Sequence, residues 1–255
     1  MSFEIIAPNS TTPFLLTCEH ASPAIPAAFG DLGIAPQYQG EHYIHYDKGA
    51  ELLTRALSKE LGATAILSKY SRAFVDLDRH GADPDCIPEM AHEFVPVPAN
   101  EGLSSKDRQD RIDQYFTPYH SQVDVLLAEK RSQHEKVLYL PIHTFEKRLD
   151  GFKYADANID RPWHIFVMWD DHAPYKDAFI NTLTDNSDYR IGSNEPYSGV
   201  ELFDIASCIS GHVNSPHVPH LLIEVRSDMV HNNPAGVEKI STLLAQAAEA
   251  AVKAL

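Results

Sequence analysis

The sequence predicts an α/β protein: a single three-layer α/β/α domain spanning residues 1–255, built on a mainly parallel (mixed) sheet. Three observations carry this. Short apolar runs bounded by polar residues recur, clearest in Val137-Leu138-Tyr139-Leu140-Pro141-Ile142-His143-Thr144-Phe145, and such runs read as strands buried on both faces. Segments with apolar residues at helical spacing alternate with them, as expected when helices cover both faces of a parallel sheet. The 255 residues are 44% hydrophobic, enough to bury a substantial core, and nothing reads as a linker, an internal repeat or a low-complexity tract.

Residues 1–13 read as a short polar lead. Phe14-Leu15-Leu16-Thr17-Cys18 is the first strand and delivers Glu19 and His20. The Pro- and Gly-rich stretch that follows (Pro23, Pro26, Gly30, Gly33, Pro36) is too long for a plain turn, and loops of that length near strand ends commonly bind ligands. Ala50, Leu53, Leu57 and Leu61 form the buried stripe of a helix that Gly62 ends. Ala65-Ile66-Leu67 is the second strand, and residues 80–102 read as an irregular excursion. Ser104 or Ser105 caps a helix to about Phe116, and Thr117-Pro118 opens another with Tyr119, Val123, Leu126 and Leu127 inward. The central strand comes next, then a loop over Phe145–Arg161. Ile165–Trp169 is a further strand, ending in Asp170-Asp171, and a helix lies around Lys176–Leu183. The last strand ends near Glu224, and Asn233-Pro234 starts a final helix with Val237, Ile240, Leu244, Ala247 and Ala251 inward.

A formal charge of −15 argues against a nucleic-acid groove or an anionic membrane surface as partner. Three cysteines without a CxxC pair argue against a disulfide framework. With no export signal in the first residues and no apolar run near the ~20 residues of a membrane span, the expected location is the cytoplasm. Fourteen histidines are roughly twice ordinary usage and make metal chemistry permissible.

Ligands in open α/β sheets bind outside the carboxyl ends of the strands, which is where three of these runs place His20, His143 and Glu224. A catalytic zinc site needs three N or O ligands and one open position. HExxH is absent. The third ligand is open among Asp47, Glu19, His45 (with His42 beside it) and Glu146 of His143-Thr144-Phe145-Glu146. Asp47 also stands where a helix N-cap would. Glu224, flanked by Leu222, Ile223 and Val225, is a carboxylate that burial should desolvate; it is either a general base with a raised pKa or the partner of Arg72 or Arg226. Arg72 and Arg79 bracket Asp76 and Asp78, either as an internal network or as a fork for a substrate carboxylate. His217 and His220, three apart on a strand, face opposite sides and are set aside as a ligand pair.

In order along the chain, Glu19-His20-Ala21-Ser22, Tyr46-Asp47-Lys48-Gly49, Ser71-Arg72 through Asp76-Leu77-Asp78-Arg79, Pro118-Tyr119-His120, Ile142-His143-Thr144-Phe145 and Leu222-Ile223-Glu224-Val225-Arg226 resemble the N-formylglutamate amidohydrolase family. The resemblance spans about residues 14–230. Asp78 stands where the family commonly has Asn, and Thr144 where it has Ser. The resemblance implies a zinc-carboxypeptidase-like (phosphorylase/hydrolase-like) fold and hydrolysis of a small acidic N-acyl amino acid, N-formyl-L-glutamate or a relative. It implies His20, Asp47 and His143 as ligands of one Zn2+ or other divalent metal per chain. Glu224 and Arg72 are then the catalytic pair, with Arg72, Arg79, Ser71, Thr144 and His120 toward the substrate. The rival readings are a zinc carboxypeptidase or peptide/cell-wall amidase, and a non-catalytic carboxylate- or metal-binding protein of the same fold.

Overall fold

The computed structural model describes residues 1–40, 42–92, 94–148, 160–202, 209–213 and 217–255. In chain order the strands are β1 (Phe3–Ile6), β2 (Phe14–Cys18), β3 (Thr64–Ser68), β4 (Met90–Ala91), β5 (Val95–Pro96), β6 (Leu138–Phe145), β7 (Ile165–Met168), β8 (Ile191–Ser193) and β9 (Leu222–Arg226). The helices are α1 (Ala50–Leu61), α2 (Ser105–Arg111), α3 (Thr117–Gln133), α4 (Pro174–Asp185), α5 (Gly199–Leu202), α6 (Ile209–Val213) and α7 (Pro234–Ala254).

Seven strands form one sheet in the order β1-β3-β2-β6-β9-β7-β8. The centre is parallel: β3, β2, β6 and β9 run together, while β1 is antiparallel to β3 and β7 antiparallel to β9. Apolar residues on both sides of each central strand make both faces buried. Leu16, Leu140, Ile142 and Val225 lie in the core under α1, α4 and α7. Leu15, Tyr139 and Phe166 lie in the opposite core, against Tyr119, Val123 and Leu127 of α3 and Phe74 of the loop after β3. The layers are α/β/α, as the sequence predicts.

The differences lie at edges and joints. The lead over residues 1–13 contains β1, an edge strand whose Phe3 is buried against α3 through Tyr119 (ring centroids 6.3 Å apart). The excursion over residues 80–102 contains the β4–β5 hairpin. Ser104 caps α2 as predicted, accepting from Asp107 N–H at 3.1 Å, but α2 and α3 are continuous through one π-helical turn, Ile112–Phe116. Asp47 does not cap α1: Gly49 holds the N-cap position with φ 87°. A Cβ on Gly49 would come 2.8 Å from Val230 Cγ2 and 2.9 Å from the His231 amide nitrogen, so this close crossing needs glycine. The Asp47 side chain is thereby free to turn toward the strand ends. Among the described residues no helix is long and apolar enough to cross a membrane.

Candidate metal and catalytic site

Adjacent parallel strands present their side chains in rows. In the ladder β6 pairs with β9 so that His143 stands beside Glu224, and across the β7–β9 pair Phe166 stands beside Glu224. His143, Glu224 and Phe166 therefore share one row and one face, the face covered by α3 and the long loops. His20, two residues past β2, comes beside His143 with ring centroids 5.0 Å apart. Asp47 approaches from the turn before α1, its backbone amide donating to the His20 carbonyl at 2.9 Å.

One ligand atom each from His20, Asp47 and His143 lies within 4.8 Å of the other two, and all three side chains are buried. Their orientation is set from behind. His20 Nε2–H donates to Asp76 Oδ1 at 2.7 Å, while its Nδ1 accepts from Arg72 Nη1 at 3.3 Å, which assigns the ring its tautomer. His143 Nε2 lies 3.3 Å from Glu19 Oε2, and Glu19 Oε1 accepts from Tyr119 Oη at 3.2 Å. Both rings thus turn Nδ1 toward Asp47 Oδ2, at 3.5 Å for His20 and 2.9 Å for His143. Arg72 Nη2 holds the other oxygen, Asp47 Oδ1, at 2.6 Å. A histidine ring held at its outer nitrogen by a carboxylate, with the inner nitrogen aimed at a shared point, is the usual arrangement around a protein-bound cation.

The electrostatics agree. Burial works against a charged His143, but the carboxylates of Asp47 and Glu19 on either side more than reverse it and hold its pKa well above the usual value. Burial likewise opposes an ionised Asp47, yet Arg72 and His20 keep its carboxyl well below the usual range. Glu224 behaves in the opposite way. Burial, joined by the charge of Asp47, pushes its carboxyl up to about 7 although His143, Arg161 and Arg72 pull it down. Among the described residues its Oε2 is buried without a hydrogen-bond partner. Neither arginine expected as its ion-pair partner is one: Arg226 Nε donates to Asp228 at 2.7 Å, and Arg72 gives its Nη atoms to Asp47, His20 and the Tyr43 carbonyl.

A model of the N-formylglutamate amidohydrolase family matches residues 12–231. The chain belongs to that family. Among solved structures it is similar to the gene product Atu2144 from Agrobacterium tumefaciens, with 24% identity and a TM-score of 0.87 over 99% of this chain and 95% of that one. It is also similar to N-formylglutamate amidohydrolase from Ralstonia eutropha JMP134, with 17% identity and a TM-score of 0.72 over 99% and 97%. No curated protein matches the chain. At these identities the likeness to solved structures is one of fold, while the family match makes the chain an amidohydrolase-family protein.

Within this family member the remaining residues singled out from sequence divide. His45 has both ring nitrogens engaged, with Ser71 Oγ at 2.9 Å and the Tyr38 carbonyl at 2.9 Å, and Glu146 faces Lys48 at 3.8 Å. Neither joins the cluster, and Glu19 stands behind it. Ser71 is fully buried, and its hydroxyl bonds His45 Nδ1 and accepts from the Ala73 amide at 3.1 Å. Thr144 gives its hydroxyl to the Lys48 carbonyl at 3.0 Å and its amide to Asp47 Oδ2 at 3.3 Å, so it fixes the Asp47 turn. Arg79 lies against Asp78 at 3.4 Å. His120, on α3, bonds His212 of α6 at 2.9 Å, and His212 bonds Asp124 at 2.6 Å. His217 and His220 face Asp171 and Asp170, each away from the cluster.

Three residues take parts here that their spacing in the sequence does not show. Asp76, which the sequence groups with the arginines, bonds His20 Nε2 and so orients that ring. Glu19, one of the open candidates for the third ligand, stands behind His143 with its Oε2 3.3 Å from Nε2. His92, on the β4–β5 hairpin with φ 49°, is pushed down to about 3 by burial and by Arg72, with Asp47, Asp76 and His20 also acting on it. A histidine in left-handed backbone on an otherwise featureless stretch is a signal only after folding has placed it.

Proposed function

We propose that the protein is a metal-dependent amidohydrolase that cleaves the amide bond of a small acidic N-acyl amino acid, N-formyl-L-glutamate or a relative, with zinc as the expected metal. The observation that carries this reading is the convergence of His20, Asp47 and His143, each held from behind by a charged side chain, beside a carboxylate whose Oε2 is buried without a hydrogen-bond partner.

The residues fit a divalent cation. Two imidazole Nδ1 atoms and one carboxylate oxygen are the N and O donors that zinc takes in catalytic sites. A cation held there supplies Lewis acidity toward an acyl carbonyl and makes water more acidic. Glu224 is the general base: its Oε2 takes a proton from water as the C–O bond forms and returns it to the amine nitrogen as the C–N bond breaks. A carboxyl near 7 suits both transfers at neutral pH. Arg72 positions Asp47 and adds positive charge beside the reacting carbonyl, which opposes charge growing on the acyl oxygen. The test is release of formate from N-formylglutamate by metal-loaded protein, with N-acetyl and N-succinyl amino acids and chelated protein run beside it. No turnover of any of them by the metal-loaded protein removes the proposal.

A further inference from the structure

An acidic substrate needs a cation near the reaction centre, and the two arginines read from the sequence already have carboxylate partners in Asp47 and Asp78. Arg72 gives Nη2 to Asp47 and the Tyr43 carbonyl and Nη1 to His20. Arg79 lies beside Asp78, and the charge of Asp76 also acts on it. A guanidinium already balanced by carboxylates offers little to one more.

Arg161 differs. Among the described residues its side chain makes one hydrogen bond, a long one of 3.4 Å from Nη2 to Tyr197 Oη. Its Cζ lies 5.7 Å from the centroid of the Phe145 ring. Phe145 follows His143 by two positions on β6 and so projects from the same face. Phe145 packs on Phe166 at 5.0 Å, and Phe166, which shares the row of His143 and Glu224, packs on Tyr197 at 6.1 Å. These three rings, with Phe166 and Phe145 buried and Tyr197 exposed at the end, run as an apolar row from the proposed reaction centre to a half-buried guanidinium. Its charge is felt at Glu224. The exposed Tyr197 ring beside Arg161 offers apolar surface to a short methylene chain, and the cation fits the carboxylate that terminates the chain.

We infer that Arg161, aligned by Tyr197 and the Phe145 ring, binds a carboxylate of the substrate and sets the preference for acidic acyl amino acids. This rests on the amidohydrolase reading above. The planar fork matters, because guanidinium meets carboxylate through two parallel hydrogen bonds that an ammonium group cannot reproduce.

The experiment compares wild type, Arg161→Met and Arg161→Lys on N-formylglutamate, its γ-amide and its α-amide, with metal content measured on each. Arg161→Met should raise KM for N-formylglutamate at least ~10-fold with kcat changed far less. Its discrimination between the diacid and one of the two monoamides should collapse, and which one identifies the carboxylate bound. Arg161→Lys should fall between. An unchanged kcat/KM, or equal losses on all three compounds, overturns the inference. Should the wild type hydrolyse neither these nor the N-acetyl and N-succinyl amino acids, the amidohydrolase reading fails, and glutarate binding by titration calorimetry then reads Arg161 directly. Weakening by at least ~10-fold in Arg161→Met supports the inference; equal affinity, or no binding to wild type, overturns it.

Discussion

Replacing Glu224 with Gln separates a general base from a structural ion-pair partner, because the two roles move stability in opposite directions. In the folded chain the carboxyl is pushed up to about 7 from a usual 4.5, with burial as the leading cause. The unfolded chain ionises first, so between these values the folded state holds more protons. Stability from this group therefore falls as pH rises from about 4.5 through about 7. At about 1.4 kcal/mol per pH step, carrying the charged group at pH 8 costs the metal-free fold at most about 3.5 kcal/mol. Glu224→Gln keeps the shape and removes the charge. The chelated variant should melt several degrees higher than chelated wild type at pH 8, at roughly 2–4 °C per kcal/mol for a chain of this size, and the gap should shrink toward pH 5. Metal content should stay near wild type, since Glu224 is outside the His20–Asp47–His143 cluster. In the loaded protein kcat should fall by about 10²–10⁴, the usual worth of general-base catalysis. The assay is kcat, metal content and melting temperature on one preparation. A variant that melts early at pH 8 and turns over at the normal rate would refute both the buried-charge argument and the base assignment.

Three further outcomes follow from the same geometry. The proton on His143 is held between Asp47 and Glu19, and its contribution to stability is present below about 6.5 and lost as pH rises through its raised pKa. A cation must displace that proton, so the gain in melting temperature on adding zinc should grow with pH, with about one proton released per chain in calorimetry across two buffers; zero release contradicts this. Asp76→Asn leaves His20 without its anionic partner and should weaken metal affinity about 10- to 100-fold, measured by chelator competition; unchanged affinity would mean that Asp76 does not orient His20. Arg72→Lys keeps a charge but cannot join Asp47 to the Tyr43 carbonyl, and should lower both melting temperature and kcat/KM, the latter at least ~10-fold. A lower melting temperature with normal kinetics would make Arg72 structural alone.

How far the sequence reveals this protein depends on whether a feature is local. The strands β2, β6 and β9 are short, wholly or mostly buried runs ended by polar residues, and their apolar periodicity is visible without any partner. So are the buried positions of α1 and α3. The small pieces at the margins, β1, β8 and the β4–β5 hairpin, carry too few residues for a period to emerge. Strand direction was only half legible, since β7 reads like its parallel neighbours yet runs against β9. In the site, His20, His143 and Glu224 stood out because each ends or interrupts an apolar run. Asp47 looked locally like a helix cap, and only the crossing of Gly49 beneath Val230 and His231 shows why its side chain is free to do otherwise. The outer partners Glu19 and Asp76 are a matter of which nitrogen of which ring they reach. That is a tertiary fact with no signature in spacing.

The central claim is that His20, Asp47 and His143 hold a cation on which turnover depends. The most direct measurement is zinc content and N-formylglutamate hydrolysis on the same samples of wild type and His143→Ala, before and after chelation. Loaded wild type should carry about one zinc per chain, lose activity on chelation and regain it with zinc, and His143→Ala should lose most of both. Full zinc occupancy in His143→Ala, or undiminished hydrolysis by chelated wild type, would contradict it.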